Sequence, residues 1–217
     1  MDYAAARHNM VESQLRTNKV IDERIVAAMS RVARESFLPD ALRSIAYVDE
    51  DIPLGGDRFL IEPMVFARLA QYAQLSPGER VLLVGAGCGY GAAILAAAGA
   101  TVFALESDSR FAAAAKIALS RNAISGANVV EGPLEAGWPS GAPYDAIVFE
   151  GATGRLPASF AGQLAEGGRI VGIVAQPGQP GRATVWRKFG GSLTSRIVFD
   201  AGTPMLPGLA LEPGFVF

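Results

Sequence analysis

The chain has 217 residues, 50% of them hydrophobic and 18% charged, and its 19 basic and 21 acidic side chains leave a formal net charge of -2. That composition buries a sizeable core and excludes a globally disordered chain, while the near-cancelling charge excludes the basic face that nucleic acid or an anionic membrane calls for. One cysteine, Cys88, and one histidine, His8, exclude an internal disulfide and a Cys/His zinc site.

The opening MDYAAARHNMVESQ lacks the uninterrupted apolar run of a signal peptide, and no stretch reaches the roughly 18 to 20 apolar residues of a membrane span. A soluble, cytoplasmic protein is the expectation. From Met10 to Met29 the apolar residues fall at mixed helical spacings with a break near Asn18, which predicts two short helices, the second capped by Asp22. RESFLPDALRSIAYVDEDIPLGGDRFLIEP has little periodicity and reads as an ordered connection lying over the domain. Pro63 then opens the helix MVFARLAQYAQL, and SPGER ends it with a turn.

Strands and helices alternate from there: RVLLVGAG, a small-residue helix, TVFALES, a helix from Ser109 to Asn122, NVVEG, YDAIVFEG, a helix around Phe160 to Leu164, and GGRIVGIVA. Strands without a polar alternate are buried on both faces, as in a parallel sheet covered by helices. ATVWRKF and LTSRIVFD, joined at Gly190-Gly191, read as a hairpin that finishes the sheet antiparallel. The expected fold is thus α/β, a Rossmann-like doubly wound and mostly parallel sheet with an antiparallel C-terminal edge. One unit over residues 1–217 is expected, with 1–62 as helices and a loop packed on it.

In VGAGCGY the glycines Gly85, Gly87 and Gly89, with Ala86 between the first two, follow a strand and open a helix, where backbone can approach a ligand closely. Glu106, with Ser107 after it, closes the next strand about twenty residues on, where an acid accepts hydrogen bonds from both ribose hydroxyls of a nucleoside. The G-x-G-x-G spacing, in place of G-x-G-x-x-G, favours a nucleoside with a short charged tail over a dinucleotide, and S-adenosylmethionine is such a ligand. The same residues also fit a plain tight turn and a solvated acid. Cys88 in this turn fits small apolar packing better than a reactive thiol, and His8, with no visible partner, fits a solvated side chain better than a general base.

Across nearly its whole length the chain resembles the protein-L-isoaspartate O-methyltransferases. MVESQLRTNKVIDERIVAAMSRVARESFLPD is similar to that family's N-terminal helices, AYVDEDIPLGG to its approach to the active site, and GERVLLVGAGCGY to its cofactor turn. GWPSGAPYDAIVFEGA and LAEGGRIVGIVA are similar to its fourth and fifth strand regions. The resemblance implies a class I methyltransferase fold, S-adenosylmethionine as cofactor, and Gly85, Ala86, Gly87, Glu106, Ser107 and Gly132 as its binding residues.

Several of the family's functional positions differ. Where the family reads a stretch such as GQTISQP, with hydroxyl residues beside the substrate carboxyl and the methyl donor, this chain reads DRFLIEP, so Phe59 and Ile61 stand where donors are expected. Leu83 replaces an acid beside the cofactor turn, and Pro133 replaces the aspartate of GDG that faces the adenine, with Glu131 and Glu135 as possible substitutes. Asp57, Phe59, Ile61 and Glu150 are the expected acceptor-facing residues, with Glu150 fitting a cap on the following helix equally well. Arg58 is the one strong donor left in the loop; it fits a clamp on a carboxylate and equally a surface arginine. The acceptor is then a protein or peptide carboxylate, with weak isoaspartyl activity, or a different small molecule; a nucleoside-binding relative without turnover is the alternative.

Overall fold

The computed structural model describes residues 1–211, so the end of the 1–217 unit lies outside the described residues. At the N-terminus, helix α1 (Tyr3–Met10) runs on through wider and tighter turns to Asn18, and helix α2 (Glu23–Arg31) follows. The first helix thus starts before Met10. Asp2 caps it by accepting the Ala5 N–H at 3.0 Å, a local device that needs no apolar periodicity. Lys19, with a left-handed φ of 65°, makes the break beside Asn18. Asp22 caps α2, accepting the Arg24 N–H at 3.0 Å.

The connection expected after α2 contains more structure than its sequence announces. Short turns at Arg34–Phe37 and Asp40–Ile45 lead into a two-stranded antiparallel hairpin, β1 (Ile52–Gly55) with β2 (Arg58–Leu60), and then helix α3 (Pro63–Tyr72). Strands this short, with Pro53 in one of them, carry no readable alternation.

The rest alternates as the sequence predicts: β3 (Arg80–Val84), α4 (Tyr90–Ala97), β4 (Thr101–Glu106), α5 (Ser109–Arg121), β5 (Ala127–Glu131), β6 (Tyr144–Thr153), α6 (Ser159–Gln163), β7 (Leu164–Val174), β8 (Arg182–Phe189) and β9 (Ser192–Asp200). The sheet has seven strands in the order β5-β4-β3-β6-β7-β8-β9. β5 through β7 run parallel, and β8 and β9 pair antiparallel beyond them, turning at Gly190 and Gly191 with φ of 57° and 76°.

Buried alternation divides the central strands between two apolar layers. Val81 and Leu83 of β3 and Ala146 and Val148 of β6 face a core shared with α2, α3, α4 and α5, whereas Leu82, Val84, Ile147 and Phe149 face Phe160 of α6, Leu134, Leu206 and Leu209. Both faces of the sheet are therefore covered, as continuous apolar strands require. The connections change face between β3 and β6, so the crevice at the carboxyl ends of these two strands is the topological switch point, where open α/β sheets bind ligands.

Candidate active site

The turn after β3 is built by backbone. Gly85, Gly87 and Gly89 have φ of 86°, 50° and 89°, a region open to glycine and costly for other residues. The N–H groups of Gly85 and Ala86 both donate to the Leu105 carbonyl at 3.0 Å, fixing the turn to the end of β4. A Cβ on Gly85 would lie 2.5 Å from Leu206 Cδ2. The segment around Leu206 is held there by the Leu206 N–H, which donates to the Ala152 carbonyl at 2.8 Å, and by the Ala152 N–H, which donates to the Pro204 carbonyl at 2.9 Å.

Glu106 closes β4 and is fully buried. Its Oε2 accepts the Gly87 N–H at 2.9 Å, and its Oε1 accepts the N–H groups of Ser107 at 2.7 Å and Asp108 at 2.9 Å. Arg58, also buried, adds a side-on fork: Nη2 donates to Oε1 at 2.6 Å, and Nε donates to Oε1 at 3.0 Å and Oε2 at 3.2 Å. Arg58 Nη2 also donates to Ser107 Oγ at 2.9 Å. The guanidinium that fits a clamp on an acceptor carboxylate therefore lies on the acid expected on a ribose. Arg58 reaches it because β2 passes over the turn, close enough that a Cβ on Gly87 would meet the Phe59 carbonyl at 3.8 Å.

The structure brings four residues of the DRFLIEP loop together. Asp57, Arg58, Phe59 and Ile61 line one crevice with Gly85, Glu150, Pro204, Met205 and Leu206, and its free volume is about 10 Å³, the space of one water. Glu150 lies where the pairing of β6 with β7 is irregular, between Val148 and Ala152. Its side chain is buried, Oε2 finds no partner among the described residues, and burial raises its carboxyl well above the usual range. The carboxyl occupies the space a Cβ on Gly91 would take.

Other expectations come apart. Gly132 ends β5 with its N–H donating to the Glu106 carbonyl at 3.1 Å, but neither candidate acid is free beside it. Glu131 accepts from Lys116 Nζ at 2.7 Å on the surface, and Glu135 turns toward Gly208. Cys88 is buried, and burial pushes its thiol up to about 12, so packing is its role. His8 is exposed on α1.

Sequence reasoning missed Arg34. It is wholly buried, with its Nε donating to the Ala46 carbonyl and its Nη2 to the Ile61 carbonyl, both at 2.7 Å, and its guanidinium 4.9 Å from the Tyr90 ring. These bonds tie the connection and the end of the hairpin to the first turn of α4. An arginine among charged neighbours in RESF gives no sign of burial. Leu206 was equally silent, because its segment has no periodicity.

The family model for Protein-L-isoaspartate(D-aspartate) O-methyltransferase matches residues 6–198. The chain belongs to that family. A protein-L-isoaspartate O-methyltransferase of Methylorubrum populi is 44% identical over 80% of this chain and 82% of its own. One from Rhodopseudomonas palustris is 42% identical over 78% of this chain and 69% of its own. Among solved structures, a protein-L-isoaspartate O-methyltransferase superposes with a TM-score of 0.83 at 24% identity, covering 94% of this chain and 67% of that one. A Plasmodium falciparum protein named for the same activity, solved in complex with S-adenosyl-L-homocysteine, superposes with a TM-score of 0.77 at 18% identity, covering 95% of this chain and 98% of that one. At these identities the structural likeness establishes the fold, a class I methyltransferase fold of Rossmann-like type. Among the described residues no helix is long and apolar enough to cross a membrane, and no group of three or more His, Cys, Asp or Glu is placed to hold a metal.

Proposed function

We propose that this chain is an S-adenosylmethionine-dependent methyltransferase whose acceptor is a carboxylate on a protein or peptide, and that isoaspartyl peptides are poor acceptors for it. The observation that carries the reading is the buried Glu106 at the carboxyl end of β4, with Oε2 2.9 Å from the Gly87 N–H of the glycine turn. Family membership supports the reaction, and the acid, the glycine turn and the switch-point crevice form a donor and acceptor set that suits a nucleoside. Residues 1–62 pack on the sheet as part of the same catalytic unit.

S-adenosylmethionine supplies an already activated methyl group, so the protein's task is chiefly to hold the acceptor in line. Glu106 takes the ribose hydroxyls, and the backbone of Gly85 to Gly87 admits close approach. A carboxylate acceptor needs no base at neutral pH; it needs donors that orient it. Phe59 and Ile61 exclude water and donate nothing. Burial raises the Glu150 carboxyl well above its usual range, which disfavours a negative charge against the acceptor.

A small-molecule carboxylate is the second reading, favoured by the way Phe59, Ile61, Met205 and Leu206 close the crevice. Calorimetric titration with S-adenosylhomocysteine, followed by label transfer from S-adenosylmethionine to an isoaspartyl peptide, tests the proposal. Absence of nucleoside binding overturns it, and robust turnover of the peptide overturns its acceptor half.

A further inference from the structure

Glu106 accepts six contacts, from Arg58 and the backbone N–H groups of Gly87, Ser107 and Asp108. A carboxylate offers about four lone-pair sites. With Arg58 in place all of these are taken, so a ribose hydroxyl must displace a donor, and removing the three backbone donors would mean unmaking the turn itself. Arg58 is the one donor able to leave, since it sits on a short hairpin.

Arg58 is also the sole cation among the residues lining the crevice, which otherwise offers the acidic side chains of Asp57 and Glu150 and apolar walls. While it lies on Glu106 its charge is neutralised and its fork is in use. Phe59 and Ile61 donate nothing, so among the described residues that line the crevice an acceptor carboxylate finds no other charged donor.

Resting on the methyltransferase reading above, we propose that Arg58 serves two partners in turn: Glu106 in the ligand-free protein, and the acceptor carboxylate once ribose hydroxyls have taken Glu106. Nucleoside binding then costs an ion pair that acceptor binding restores, so the two ligands favour each other, and by linkage the coupling is the same whichever binds first. The carboxylate site is completed by the cofactor, and the acceptor binds second.

The test uses the full chain and calorimetry. Arg58→Met keeps the apolar stem and removes the competitor, so it is expected to bind S-adenosylhomocysteine at least tenfold more tightly than the unmodified protein. Equal or weaker binding overturns the proposal. Acetate, as the bare carboxylate, is expected to bind the unmodified protein at least tenfold more tightly when S-adenosylhomocysteine is saturating, and Arg58→Met is expected to lose this gain. Acetate binding that ignores the nucleoside, or that is absent with and without it, overturns the second partner. Should Arg58→Met fail to fold, Arg58→Lys keeps a charge but not the fork and is expected to tighten nucleoside binding in the same direction. Failure of every form to bind S-adenosylhomocysteine overturns the cofactor reading itself, an outcome distinct from binding that Arg58 does not affect.

Discussion

Arg58 Nη2 lies 2.6 Å from Glu106 Oε1, joining two buried side chains 48 residues apart in the chain. A buried pair of this kind is costly to break from one side only, because the remaining charge stays desolvated.

Glu106→Ala is therefore expected to act twice. It leaves Arg58 buried without its carboxylate, for a stability loss of about 3 to 5 kcal/mol. It also removes two charge-assisted hydrogen bonds to ribose, about 1.5 to 3 kcal/mol each. Urea unfolding measures the first effect and calorimetry with S-adenosylhomocysteine the second. Nucleoside affinity unchanged by the substitution excludes Glu106 as the ribose ligand.

Restoring hydroxyls in the acceptor loop is expected to raise isoaspartyl methylation. Phe59→Thr places a donor on the crevice wall, and Ile61→Ser places a second. Each regained 1.4 kcal/mol of transition-state stabilisation is about tenfold in rate. Ile61 is buried, and shortening it costs roughly 2 to 4 kcal/mol of stability, so Phe59→Thr alone is the cleaner first comparison. Label-transfer rates for both variants that stay at the level of the unmodified chain count against the assignment of these positions.

Gly91→Ala is expected to dislodge Glu150. The added Cβ coincides with the carboxyl, which is buried beside a crevice that holds only about one water. An overpacked core site of this kind typically costs 1 to 3 kcal/mol. Thermal unfolding reads the loss, and Glu150→Ala in the same background should recover part of it. A Gly91→Ala protein as stable as the original contradicts the packing described.

Glu62 gives a pH signature. Burial, with Asp49, Asp51 and Glu50 nearby, raises its carboxyl from 4.5 to about 7 in the folded protein. The folded state thus holds this proton where the unfolded chain has released it, so its contribution to stability falls as pH rises from about 4.5 to 7. Glu62→Gln should flatten that part of the profile in urea titrations. A decline of the same steepness in the variant assigns it to other groups.

Cys88 should resist thiol reagents in the folded protein. With its thiol pushed up to about 12, almost no thiolate exists at pH 8, and the side chain is buried. Labelling is expected to appear only with unfolding, in step with the loss of circular dichroism. Fast stoichiometric labelling of the native protein argues against a packed turn.

Much of this architecture is written locally. The continuous apolar runs of β3 and β6, Asp22 and Asp108 at helix starts, and the glycine pair at the hairpin turn each act over a few residues. Such short-range rules place the glycine turn at the end of β3 and Glu106 at the end of β4, which is why the fold and the position of this acid are legible in the chain alone. The β1–β2 hairpin and the start of α1 are less so, because four- and three-residue strands and an alanine-rich first turn carry too little periodicity. Tertiary structure alone decided which partners the site residues take. Arg58 lies on Glu106, Leu206 covers Gly85, Arg34 is buried under the connection, and Glu150 is desolvated over Gly91. Those pairings depend on which loops cross the carboxyl edge of the sheet, and on the desolvation they impose, and neither is encoded in the spacing of neighbouring residues.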